Sequence, residues 1–199
     1  IILLGLYFST VSAQLNTFNI TWKSQSQNAA ASMPVGGGDI GCNVWVENNE
    51  LLLYFSKSGS FDENNAFLKS GRLRLKLSPN PFSNTGFKQE LVVKDGYIHI
   101  QSSNSGITAA VKIWVDVFHP VIHIDIKSNK PVHAEAFYEN WRFADRLQKG
   151  KENNANSWKW ASHVPVITRP DEVEYDHNNI IFYHRNTDPT VFDATVKQQ

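Results

Sequence analysis

Met33-Pro34-Val35-Gly36-Gly37-Gly38-Asp39-Ile40-Gly41-Cys42-Asn43-Val44-Trp45-Val46, followed by Leu51-Leu52-Leu53-Tyr54-Phe55-Ser56, decides how the chain is read. Consecutive glycines after a proline let the backbone reach positive φ and pass close to a neighbour, and here they run straight into an apolar segment, as a flexible linker does not. The glycines therefore read as a fixed turn. Residues 42–46 and 51–56 are rich in strand formers and are separated by Glu47-Asn48-Asn49-Glu50. Asparagines tolerate left-handed backbone, so the pair predicts a β-hairpin. No Gly-Lys-Ser/Thr follows and the glycines open no helix, which argues against both a phosphate loop and a dinucleotide fingerprint.

Working outward, Arg72-Leu73-Arg74-Leu75-Lys76-Leu77 alternates leucine with cation, the pattern of a half-buried strand. Lys94-Asp95-Gly96 lies between the strand-like residues 87–93 and 97–101, and its Asp-Gly pair predicts another hairpin. Residues 107–117 carry Trp114, residues 122–126 alternate isoleucine with His123 and Asp125, and 132–141 and 180–184 add further strands. Residues 191–196 are expected to form the last one. Turn signals recur at the spacing of a sandwich, and no sustained helical period occurs before residue 140. The expectation is an all-β fold, an antiparallel two-sheet β-sandwich (supersandwich-like) with long loops. Trp45 and Trp114 sit in apolar strands and are expected in its core.

A chain of 199 residues supports one well-buried domain. Lysine plus arginine and aspartate plus glutamate are 19 each, so no net charge draws the chain to nucleic acid or to an anionic membrane. The lone Cys42 excludes an internal disulfide and reads as a small buried residue rather than a nucleophile. Residues 1–13 are apolar and end in Val11-Ser12-Ala13, the small-residue pattern of a secretory cleavage site. They are expected to be the remnant of a signal peptide, with a first strand at residues 3–8 as the alternative. Too short to span a bilayer, they predict no membrane span and a secreted or periplasmic protein. Residues 14–199 are then expected to be the N-terminal β-sandwich domain of a longer polypeptide.

Tryptophans in polar loops are the most telling chemical feature. A sugar ring offers axial hydrogens to an aromatic face while its hydroxyls seek planar amide, carboxylate or guanidinium partners. Asn140-Trp141-Arg142 with Asp145, and Trp158-Lys159-Trp160, fit that description, so Trp141, Arg142, Asp145, Trp158 and Trp160 are candidate substrate-binding residues. The alternative is that Trp141 and one of Trp158 and Trp160 cover the open end of the sandwich. Carboxylates for acid–base work occur at Asp62-Glu63, Glu139, Asp145 and Asp171-Glu172, but glycoside hydrolysis needs two of them at a defined separation, which sequence does not give. Asp116, His119, His123 and Asp125 cluster in sequence without a recognised ligand spacing, so no metal and no cofactor is expected.

Residues 33–41 resemble the Pro-Leu-Gly-Asn-Gly-x-Leu/Ile-Gly motif near the start of glycoside hydrolase family 95. The wider run of 39–47, Ser56-Lys57-Ser58-Gly59-Ser60-Phe61-Asp62-Glu63-Asn64, 112–116 and 136–142 is similar to the N-terminal domain of unknown function family 5703, found in secreted Bacteroidetes proteins. Gly37 stands where the family 95 motif has asparagine, so fucosidase specificity does not carry over. What the resemblance implies is a β-sandwich packed on a downstream helical toroid that holds the catalytic acids, with a glycan as substrate of the whole protein. This domain would then carry no catalytic residue of its own. The loop at 56–65, with Ser58, Asp62 and Glu63, is a candidate contribution to the substrate pocket, packing being the equal alternative. An independent carbohydrate-binding or cell-surface module is the other expectation.

Overall fold

A computed structural model describes residues 18–83, 85–158, 165–187 and 190–197. Its body is two five-stranded antiparallel sheets. In chain order the strands are β1 Ile20–Trp22, β2 Met33–Gly37, β3 Ile40–Glu47, β4 Glu50–Lys57, β5 Arg72–Ser78, β6 Lys88–Val92, β7 Tyr97–Asn104, β8 Ile107–Val115, β9 Ile122–Ser128 and β10 His133–Glu139. The first sheet runs β1-β6-β7-β8-β9 and the second β10-β5-β4-β3-β2, so the expected sandwich is present. Sequence neighbours pair within each sheet, and β10 crosses back from the first sheet to close the second against β5.

Period-two alternation builds the core. Leu51 and Leu53 from β4, Leu75 and Leu77 from β5, Ile98 and Ile100 from β7, and Val111 and Ile113 from β8 meet between the sheets. Each such side chain contributes about 1.5–3 kcal/mol when fully buried. Gln89 is the polar intruder. Its amide crosses from β6 to donate to the Val44 carbonyl at 3.1 Å, tying the two sheets together. Cys42 is buried in the same cluster, and burial pushes its thiol up to about 12.

The Asn48-Asn49 turn joins β3 to β4 with φ of 51° and 63°, as the hairpin pattern predicts. The glycine triplet differs from expectation, since Gly36 and Gly37 extend β2 and only Gly38, at φ 58°, turns with Asp39. Packing explains it: a Cβ on Gly37 would lie 2.9 Å from the Val115 carbonyl oxygen, so the glycine lets β2 press on the end of β8. Trp114 is also corrected. Val111, Ile113 and Val115 take the inward parity of β8, which leaves Trp114 on the outer face, stacked on His123 at 4.7 Å.

The expected last strand is an α-helix, α1 Val191–Lys197. Thr190 Oγ1 accepts from the Asp193 N–H at 3.1 Å and Asp193 Oδ2 accepts from the Thr190 N–H at 3.0 Å, a reciprocal cap that fixes the helix start. Before it come the short pair β11 Arg146–Leu147 and β12 Ile167–Thr168, then the hairpin of β13 Glu172–Asp176 and β14 Asn179–Tyr183. That hairpin returns to the sandwich through Phe182, whose ring stacks on Tyr138 at 4.2 Å. Among the described residues no helix is long and apolar enough to cross a membrane.

Candidate functional site

The outer face of the second sheet is not uniformly polar. Trp45 and Leu52 pair across β3 and β4 on that face, and both are buried. The Trp45 indole donates to Glu47 Oε2 at 2.9 Å and meets the Tyr54 ring edge-on at 4.6 Å. Tyr54 in turn meets Trp141 edge-on at 5.0 Å. Edge-to-face contacts at these separations are attractive and directional. The three rings therefore form a relay from a buried indole to one that is 41% exposed.

Trp141 is also fixed through its backbone. Asn140 Oδ1 accepts from the Arg142 N–H at 2.9 Å and its amide donates to the Arg142 carbonyl at 3.0 Å, so one side chain clamps the turn on which Trp141 stands. The Arg142 guanidinium forks onto Asp171, at 2.8 Å through Nε and 2.7 Å through Nη2, and Nη1 donates to the Lys69 carbonyl at 2.9 Å. Below Trp141 runs a trough of about 630 Å³ over the outer face, bounded by Asn43, Tyr54, Phe67, Lys69 and Trp141, with Gly36 and Gly41 in its floor. Beyond Trp141, Phe67 and Lys69 it meets a smaller hollow of about 250 Å³ reaching Arg146 and Gln148.

Behind this surface lies a buried polar chain. His184 meets Asp171 Oδ1 through Nδ1 at 3.0 Å and Glu63 Oε2 through Nε2 at 3.0 Å. Their side chains are only 3–6% exposed. Hydrogen bonds to Asp171 and then to Glu63 outweigh burial and raise the His184 pKa. The carboxylates sit on opposite ring nitrogens, so the three groups cannot converge on one ion. Among the described residues no cluster of three or more His, Cys, Asp or Glu is arranged to hold a metal. Asp116 instead caps its own loop by accepting from the Phe118 and His119 N–H groups at 2.8 and 3.1 Å.

Of the sequence candidates, Trp141 borders the trough and Arg142 supports it from behind. Asp145 is exposed and pairs with Arg169 at 2.5 Å. Asp62 borders the smaller hollow but is buried, its Oδ1 accepting from the Asn64 and Ala66 N–H groups at 2.9 and 2.7 Å. Burial and the neighbouring Glu63 push its carboxyl up. Glu63 belongs to the buried chain. Ser58 is exposed outside the trough, its N–H donating to the Asp39 carbonyl at 2.7 Å. Trp158 is half-buried and borders neither hollow, and Trp160 lies outside the described residues. Glu139 is held by Arg72 and Arg74; burial opposes its charge, but those donors outweigh it and lower its pKa. Glu172 accepts from the Tyr183 hydroxyl at 2.6 Å. Every carboxylate that the sequence offered for acid–base work is thus engaged by a donor. Tyr54, Asn43, Phe67 and Lys69 escaped sequence reasoning, although the parity of Asn43 and Trp45 against Val44 already placed the first of these strands' outer residues on one face.

The family model of a domain of unknown function, the N-terminal domain of DUF5703, matches residues 21–199, and the chain belongs to that family. No curated protein matches it.

Proposed function

We propose that this member of the family is the non-catalytic N-terminal β-sandwich of an exported, glycoside-hydrolase-like protein acting in polysaccharide or oligosaccharide breakdown. In this proposal it holds a glycan at the Trp141 trough and packs on a downstream helical toroid that supplies the hydrolytic acids. The relay from Trp45 through Tyr54 to Trp141 carries the proposal. It keeps a large apolar ring fixed and 41% exposed beside an amide and an ammonium, at Asn43 and Lys69, the combination a sugar ring requires. The engagement of Asp62, Glu63, Glu139, Asp145, Asp171 and Glu172 supports a binding role over a hydrolytic one. The likeness of residues 33–41 to the family 95 motif, a Bacteroidetes origin and removal of residues 1–13 on export belong to the same proposal.

The alternative is a stand-alone carbohydrate-binding or cell-surface module, favoured by one observation: the trough is bordered by this chain's own residues. Glycan-array and polysaccharide binding by the full chain, with Trp141→Ala and Trp158→Ala beside the parent, tests the shared premise. Binding is expected in the parent and in Trp158→Ala and is expected to be lost in Trp141→Ala. A folded parent that retains no glycan would refute glycan recognition by this domain.

A further inference from the structure

Resting on the trough as a glycan site, we propose that its ligand is an acidic polysaccharide strand that crosses the bare backbone at Gly36 and Gly41 and places an anionic group on Lys69. The floor is the first observation. Gly36 and Gly41 face each other in the β2–β3 register. Gly36 has an internal reason to be glycine, since its Cβ would stand 3.0 Å from the Ile40 carbonyl oxygen. Gly41 has none: a Cβ there meets nothing within 4 Å, and its backbone is ordinary strand. Glycine inside a strand weakens it and marks places where a ligand or another backbone comes close. At Gly41 a side chain would project into the trough and fill it.

Charge is the second observation. Lys69 borders both the trough and the smaller hollow, is exposed, and its ammonium has no carboxylate partner among the described residues. The cations around it are already paired: Arg142 with Asp171, Arg146 with Glu152, Arg72 with Glu139, and Arg74 with Glu139 and Glu50. The nearby acids are spoken for as well, Asp62 by backbone N–H groups and Glu152 by Arg146. Lys69 is thus an exposed cation beside the indole with no carboxylate paired to it among the described residues. An exposed ammonium beside a fixed aromatic ring selects a sugar with a carboxylate or a sulfate ester over its neutral counterpart.

Affinity electrophoresis and calorimetry of the full chain would compare polygalacturonate with the same polymer after carboxyl reduction, and a sulfated galactan with its desulfated form. The acid partner of one pair is expected to bind about fivefold tighter, the scale of a single exposed ion pair, with the preference shrinking at high salt. Which pair shows it separates uronate from sulfate. Lys69→Gln is expected to erase the preference, so that the acid and neutral members of each pair bind alike. Gly41→Leu, and Gly41→Ala to a smaller degree, are expected to weaken binding of every polymer at an unchanged thermal midpoint. Equal binding of acid and neutral partners, or a preference that survives Lys69→Gln, would overturn the acidic ligand and leave the glycan site standing. Failure of the folded chain to bind any polymer would overturn both.

Discussion

Replacing His184 by alanine tests the buried chain that holds the early loop against the late hairpin. The imidazole supplies hydrogen bonds at 3.0 Å to both Glu63 and Asp171. Asp171 keeps the Arg142 fork after the substitution, but Glu63, 6% exposed and with Oε1 already unpartnered, is left with no side-chain donor among the described residues. Removing one partner of a buried pair costs about 3–5 kcal/mol, chiefly because the other charge is stranded. At about 2–4 °C per kcal/mol for a chain of this size, the thermal midpoint should drop by about 6–20 °C. The loss also depends on pH. A His184 pKa raised above the unfolded value means that the folded state binds the extra proton. Its stabilisation is fully present below the unfolded histidine value of about 6.5 and fades as pH rises through the higher folded value. Urea denaturation of parent and His184→Ala across that range should therefore show the gap largest on the acid side and narrowing towards alkaline pH. Glu63→Gln, which keeps an acceptor but not the charge, should fall between them. A gap below about 1 kcal/mol, the worth of an ordinary hydrogen bond, or one that widens with pH, would refute the bridging geometry.

Gly37→Ala should lower stability by about 1–3 kcal/mol in chemical denaturation, because its Cβ would press on the Val115 carbonyl at 2.9 Å, whereas Gly41→Ala should change stability by no more than about 0.5 kcal/mol. Cys42, with its thiol pushed up to about 12, should resist a thiol reagent in the native chain and titrate fully only after denaturation. Thr190→Ala should cost α1 about 1 kcal/mol, read as faster amide exchange across Val191–Lys197.

Where a strand has one face buried, parity speaks in the sequence. Leu73, Leu75 and Leu77 against Arg72, Arg74 and Lys76 gave the inner face of β5 without ambiguity, and Asn48-Asn49 gave the turn chemistry of the β3–β4 hairpin. Trp114 misled because a tryptophan in an apolar run suggests the core, whereas parity with Ile113 and Val115 sends it outward. Thr190-Val191-Phe192-Asp193 is a legible helix start, yet the β-branched residues around it imitate a strand. The site was harder. Trp141 stood out as an aromatic in a polar loop, but its partners Tyr54 and Lys69 come from segments far away in sequence, and only the folded sheet brings them together. His184 carried no local signal at all.

The bond between Glu63 and His184 joins positions 121 residues apart. The sheets, by contrast, are built largely from neighbouring hairpins that can zip locally. As the chain folds, the loop around Glu63 must therefore wait in water until the last hairpin arrives. The turn bearing Trp141 waits too, since the Asp171 that grips Arg142 comes from the same late segment. The floor of the trough can thus form with its sheet, while its Trp141 edge is completed only when the late segment docks.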